Sequence, residues 1–347
     1  MSKKIRLGII GASSFAEAHL YGIAQCKNAE VMAICDIDKE RAKSKAEEYL
    51  IPDYYTDYHE LLARTDIDAV TLPLPDQIHC QVTVDALHAG KHVLCEKPMA
   101  LNLEDCRKMI KAAKETGKQL MIGQVSRYTD SFRKAKEMVD DGEIGELFFV
   151  ESEYAHDYSK IGGIGGWRVT PERHPVLGGG CHAVDLLRWI AGNPTEVSAF
   201  ANNKVLTDWP IMDCTVGILK FPNNVIGKVM TSVGCKRSYT MRTVLYGTKG
   251  TIVMDNTSPT LSIFKEEFRG EDTYCGSEQQ RVEIKVPVRV NNHNTAGEIG
   301  DFCRCLLENK PVPTDGVEGA ITVATCLAIV EAAKKEEKVK VDYDFNI

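Results

Sequence analysis

The 347-residue chain has no long run of lysine or arginine, no C-x-x-C pair, no internal repeat and no low-complexity segment. With 49 acidic against 42 basic residues and a formal charge of −7, it offers a duplex or an anionic membrane no basic face. The nearest approach, Lys334, Lys335, Lys338 and Lys340, is interrupted by Glu336 and Glu337. Nucleic acid is therefore not an expected partner. No apolar stretch approaches the roughly 20 residues of a membrane helix, so no membrane partner is expected either. The apolar run behind Lys3, Lys4 and Arg6 is too short for a secretion signal and soon meets Glu17 and His19. The 12 cysteines are scattered, and Cys35, Cys95 and Cys181 sit inside apolar runs, where a thiol acts as a small buried hydrophobe. That usage points to a reducing compartment and a cytoplasmic protein.

What is present is a regular alternation. Apolar runs at 5–10, 31–35, 69–72, 92–95 and 119–123 read as strands, with helical patterns at 14–25, 39–49, 77–89 and 103–116 between them. Repeated β-α with short connections requires a parallel sheet covered by helices on both faces, a doubly wound α/β fold. Beyond residue 123 the texture changes. A helix at 131–141 and a strand at 145–153 precede a Gly-rich loop (Gly162, Gly163, Gly165, Gly166), a Gly178-Gly179-Gly180 run and a helix through Ile190. Alternating segments at 213–221, 225–233 and 240–246 follow, then helices at 295–307 and 317–335 and a strand at 339–341. The pattern predicts a doubly wound domain over residues 1–124. Residues 125–347 form an α/β domain with a large open, mostly antiparallel sheet.

The first strand meets its helix at Gly11-Ala12-Ser13-Ser14-Phe15-Ala16, the place of the G-x-G-x-x-G/A loop where backbone N–H groups meet a pyrophosphate. Ser13 replaces the second glycine. Asp36 ends the second strand, where a carboxylate accepts hydrogen bonds from an adenosine ribose, or else caps the next helix. Such an acid repels a 2′-phosphate, so NAD is expected as cofactor, while nearby Arg41 keeps NADP possible. Leu72, Pro73, Pro75 and His79 follow the third apolar run, on the side where the nicotinamide half would cross. Glu96-Lys97-Pro98 ends the fourth, at the strand C-termini that line the ligand crevice. Arg127 and Tyr128 follow the fifth strand as cofactor or substrate contacts, although an inter-domain salt bridge explains Arg127 equally well.

Taken in order, Gly8–Ala12, the Ala89–Pro98 segment, Phe132–Ala135 with Gly142–Gly145, and Gly178–Trp189 resemble the Gfo/Idh/MocA family of nicotinamide-dependent oxidoreductases over nearly the whole chain. The resemblance implies a Rossmann domain, an open-sheet α/β domain, a sugar or polyol substrate, and dimers or tetramers assembled through that sheet. It maps the family's catalytic lysine onto Lys97 and its histidine onto His182. Chemically, a histidine near neutrality suits removal of a hydroxyl proton, and a lysine suits the developing oxyanion.

One departure stands out. Many members carry an aspartate four residues before the histidine, and here that position is Gly178. Asp185, at i+3 from His182, either orients the imidazole or is an ordinary helix carboxylate. Glu153, His156, Asp157, His174 and His293 form an uncommon set with no metal-ligand spacing, so no metal is expected. Tyr154, Trp167 and Arg168, with His156 and His174, suit a sugar pocket. The reading is an NAD(P)-dependent oxidoreductase acting on a secondary hydroxyl of a sugar, glycoside or cyclic polyol. Alternatives are a redox-neutral enzyme working through a transient keto sugar with retained NAD, and a silent sugar sensor. The intact Glu96-Lys97-Pro98 and His182 argue against the sensor.

Overall fold

A computed structural model describes residues 4–160, 166–266 and 281–345. Gly162, Gly163 and Gly165 of the predicted Gly-rich loop lie outside the described residues. Six strands, β1 (Ile5–Ile10), β2 (Ala29–Cys35), β3 (Asp53–Tyr55), β4 (Ala69–Leu72), β5 (His92–Cys95) and β6 (Leu120–Ile122), form a parallel sheet in the order β3-β2-β1-β4-β5-β6. Helices α1 (Ala16–Ala24), α2 (Lys39–Glu48), α3 (Tyr58–Leu62), α4 (His79–His88) and α5 (Leu103–Thr116) make the connections. The strand order reverses between β1 and β4, and that switch point opens the crevice in which such sheets bind ligands. Strand β3 and helix α3 go unannounced in the sequence: an edge strand of three residues, largely exposed, carries no apolar run.

After α6 (Asp130–Asp140) the chain builds a nine-stranded sheet from β7 (Leu147–Ala155). A short turn α7 (Pro175–Gly178) and helix α8 (Cys181–Ala191) lead to β8 (Glu196–Asn202), β9 (Cys214–Lys220), β10 (Ile226–Ser232), β11 (Thr240–Gly247), β12 (Gly250–Asp255), β13 (Thr260–Glu266) and β14 (Arg281–Pro287). Helices α9 (Thr295–Glu308) and α10 (Gly316–Lys335) precede β15 (Val339–Lys340). The order is β14-β13-β12-β11-β7-β10-β9-β8-β15, antiparallel at the pairs described except where β7 runs parallel to β10. Helices α6, α8 and α10 cover one face. Phe200, Ile218 and Ile226 are exposed.

The last helices return to the first sheet. Ile299, Phe302 and Cys303 of α9 share a core with Leu7 and Ile9 of β1 and Leu20 of α1, while α10 packs against α5 and β6 as well as β8. Helix α10 also corrects the sequence reading on long apolar stretches. By length and composition it could cross a membrane, but most of its apolar window is buried inside the fold, as in the core helix of a globular protein.

Candidate functional site

The cleft begins where β1 ends. Gly11 has φ 106°, and a Cβ there would lie 2.6 Å from the carbonyl oxygen of Pro73, so only glycine lets the turn sit against the end of β4. Asp36 fixes the same turn: one carboxylate oxygen accepts the Ala12 N–H at 2.8 Å and the other the Asp38 N–H at 2.9 Å. Arg41 approaches Asp36 at 3.6 Å and donates to Asp38 at 3.1 Å, so its charge is shared between two carboxylates. Gly11, Ser13, Ser14, Phe15, Asp36, Pro73, Pro75, Glu96 and Lys97 all line a cleft of about 470 Å³. Its donors and its acid fit the two ends of a dinucleotide's pyrophosphate and ribose.

Several expected cofactor contacts stand elsewhere. Ala12, Ala16 and Leu72 are buried behind the wall, and the N–H of Ala12 is already given to Asp36. His79 is fully buried, its ring bridging the carbonyls of Pro98 at 2.9 Å and Leu74 at 3.1 Å; it ties two wall loops together rather than facing the cleft. Arg127 is likewise corrected. Its guanidinium grips Asp185 through two hydrogen bonds of 2.8 and 2.7 Å and reaches Glu318 at 2.9 Å. Asp185 therefore does not orient His182. Position i+3 turns it toward α10, where Thr322 bonds to it, and Arg188 of α8 joins the same buried ionic cluster.

At the deep end, Glu96 accepts from Lys97 N–H at 3.1 Å and contacts His19 Nε2 at 3.0 Å. Lys97 Nζ donates to the carbonyl of Gly178 at 3.4 Å. His182 lies in the first turn of α8, beyond the residues that line the 470 Å³ cleft, 2% exposed, with Nδ1 2.8 Å from Ser126 Oγ. Burial, aided by the charge of Lys97 and by His293, pushes its pKa well below the ordinary value, so the ring is neutral at pH 7. Lys97 thus joins the two parts of the site.

Around His182 stand rings from distant segments. His293 meets it edge-on at 5.0 Å between centroids and shares a 2.8 Å hydrogen bond with Tyr239 Oη. Tyr154 stacks at 6.2 Å and bonds to His156 Nδ1 at 3.0 Å, and His156 lies 4.5 Å from the Tyr239 ring. Ser126 and Tyr239 were not anticipated; Ser126 follows β6 and was open to the strand-end rule, whereas nothing in the spacing marks Tyr239. The rest of the uncommon set disperses. Glu153 faces Arg242 and Arg237, Asp157 caps Ser159 and pairs with Lys236, and His174 Nδ1 accepts the N–H of Val176 in α7. Among the described residues no group of three or more His, Cys, Asp or Glu side chains is placed to hold a metal.

Trp167 and Arg168 line the cleft, joined by Arg173. Arg173 stacks over Trp167 at 5.0 Å and donates to Asp76 at 2.6 Å, so a buried ion pair links the loop before α7 to the first sheet. Gln77 donates to the carbonyl of Trp167 at 3.0 Å across the same gap.

The sequence model of an oxidoreductase family with an NAD-binding Rossmann fold matches residues 5–124, and that of a GFO/IDH/MocA C-terminal domain matches residues 132–253. A myo-inositol 2-dehydrogenase of Thermotoga maritima is 30% identical over 97% of this chain and 99% of its own. A 1,5-anhydro-D-fructose reductase of Ensifer adhaerens is 28% identical over 97% and 98%. Among solved structures, a levoglucosan dehydrogenase in complex with NADH superposes with a TM-score of 0.88 at 21% identity, over 98% of this chain and all of that one. At that identity the likeness speaks for the fold.

Proposed function

The chain belongs to the Gfo/Idh/MocA family of NAD-binding oxidoreductases, and from that premise we propose that it oxidises a secondary hydroxyl of a sugar or cyclic polyol. The observation that carries the reading is the placement of Lys97: it lines the cofactor cleft, donates to Gly178, and bears electrostatically on a neutral His182. A nicotinamide dinucleotide bound in the cleft supplies the hydride acceptor. Asp36 holds its adenosine ribose, and the backbone of Ser13, Ser14 and Phe15, which line the cleft, is left for the pyrophosphate, the N–H groups of Gly11, Ala12 and Ala16 being bonded within the protein. His182, neutral and desolvated, takes the hydroxyl proton on a ring nitrogen as the substrate carbon loses hydride. Lys97 donates to the same oxygen and stabilises the negative charge that develops there. Tyr154, His156, Tyr239 and His293 supply apolar faces and donors suited to a polyol. The relatives named for inositol and anhydrofructose chemistry support this substrate class.

We assign the open sheet face, with exposed Phe200, Ile218 and Ile226, to self-association as a dimer or tetramer. The test of the catalytic assignment is His182→Gln. Turnover with a polyol falls by a factor of about 10² or more, while NADH binding, followed by nicotinamide fluorescence, is retained. Retained turnover removes His182 from the reaction.

A further inference from the structure

A neutral imidazole carries one proton, and which nitrogen holds it decides whether the other works as a base. His182 Nδ1 lies 2.8 Å from Ser126 Oγ, and both residues are buried. That distance alone fits either polarity. The second contact of the same hydroxyl breaks the tie. Ser126 Oγ lies 3.7 Å from Met241 Sδ, within donor range of a thioether that can only accept. A serine hydroxyl has one proton and two lone pairs, so a proton directed to Met241 leaves only lone pairs for His182. Met241 is held in place from both sides: it lies fully buried on β11, and its N–H and carbonyl both bond to Asn256.

We infer that Ser126 and Met241 set the tautomer of His182: Nδ1 carries the proton and donates it to Ser126 Oγ, Ser126 donates to Met241 Sδ, and Nε2 is left as the lone-pair nitrogen. This deepens the proposed function and rests on it for its catalytic meaning, although the tautomer itself is independent of turnover. Ser126 and Met241 are positioning residues. In this chain they take over the orienting task that Asp185, engaged with Arg127, does not perform.

The tautomer is read directly by nitrogen NMR on the full-length protein labelled with ¹⁵N-histidine, His182 being assigned by its loss in His182→Gln. At neutral pH the expected pattern is a protonated Nδ1 and an unprotonated Nε2; the opposite pattern overturns the inference. In Met241→Leu, which keeps the volume and removes the acceptor, the Ser126 proton turns to Nδ1 and the Nε2–H form gains population. The kcat falls at least about tenfold with a smaller change in KM, the consequence of a mis-set imidazole. Ser126→Ala, a smaller change at the same link, likewise mixes the two tautomers. An unchanged His182 spectrum in both variants overturns the inference. A shifted tautomer with unchanged kcat leaves the tautomer assignment standing and instead counts against His182 as the base.

Discussion

The guanidinium of Arg173 fills the space that a side chain at Gly178 would enter: a Cβ built there collides with Arg173 Nη1. The acid that the family resemblance leads one to expect at this position is thus not merely missing. Its volume belongs to a cation that is paired with Asp76 and donates to the Gly178 carbonyl. Restoring the acid is therefore expected to harm the protein. Gly178→Asp costs about 1–3 kcal/mol by overpacking, measured by urea denaturation, and lowers turnover. Adding Arg173→Ala relieves the clash but leaves Asp76 buried without its cation and close to a second carboxylate, so the double variant is expected to be less stable than Gly178→Asp alone.

Lys97→Met keeps the length of the side chain and removes its charge and donors. The expected result is a loss of about 10²–10³ in kcat with nearly unchanged NADH affinity. Fluorescence titration and steady-state rates separate the two; equal loss of binding and turnover would make Lys97 a cofactor anchor only.

Asp36→Ala removes the acceptor for the Ala12 and Asp38 N–H groups as well as the ribose ligand. NADH binding weakens by tenfold or more, about 1.4 kcal/mol. NADPH binding suffers less, because Arg41 is freed to meet a 2′-phosphate. Calorimetric titration with both cofactors checks the ratio, and equal losses contradict ribose recognition by Asp36.

Acid should destabilise the fold before the carboxylates titrate. Burial lowers the pKa of His174 and His92 to about 4, and that of His293 likewise, with Lys97 adding to the effect. The unfolded chain protonates these rings near pH 6.5. Between about 4 and 6.5 the unfolded state therefore binds more protons. The stability these groups contribute is present above 6.5 and is lost as pH falls toward 4, at up to about 1.4 kcal/mol per pH unit for each ring. Urea midpoints from pH 4.5 to 7.5 measure this, and His293→Asn should flatten the slope.

Self-association through the open sheet predicts that Ile218→Glu, with Phe200→Glu, shifts the mass in solution to that of one chain, 38.5 kDa. Light scattering reads it. An oligomer that survives both substitutions places the contact elsewhere.

The first sheet was legible because strands buried on both faces become bare apolar runs and each crossover helix has its own stop, as at Gly90 and Gly117. The turn at Gly11, with Asp36 and Lys97, was legible for the same reason: each sits at the C-terminal end of such a strand. What sequence could not convey was direction and assembly. The i+3 rule put Asp185 on one face of α8, but whether that face met His182 or Arg127 depended on where α10 and the turn at 125–128 packed. His293 reaches His182, and Tyr239 reaches His293 and Tyr154, only because β11 lies beside β7 and the chain returns before α9, relations more than 50 residues apart in sequence. His79 failed as a cofactor contact because a buried ring between two carbonyls carries the same sequence signal as one facing a cleft.

The most direct test of the account is nicotinamide absorbance during incubation of the purified protein with NAD and a panel of sugars, glycosides and inositols. Accumulation of NADH with a polyol, abolished in Lys97→Met and His182→Gln, is the predicted result. Consumption of a sugar without NADH would contradict net oxidation and point to the redox-neutral cycle. No change in either sugar or cofactor across the panel would contradict the proposed substrate class.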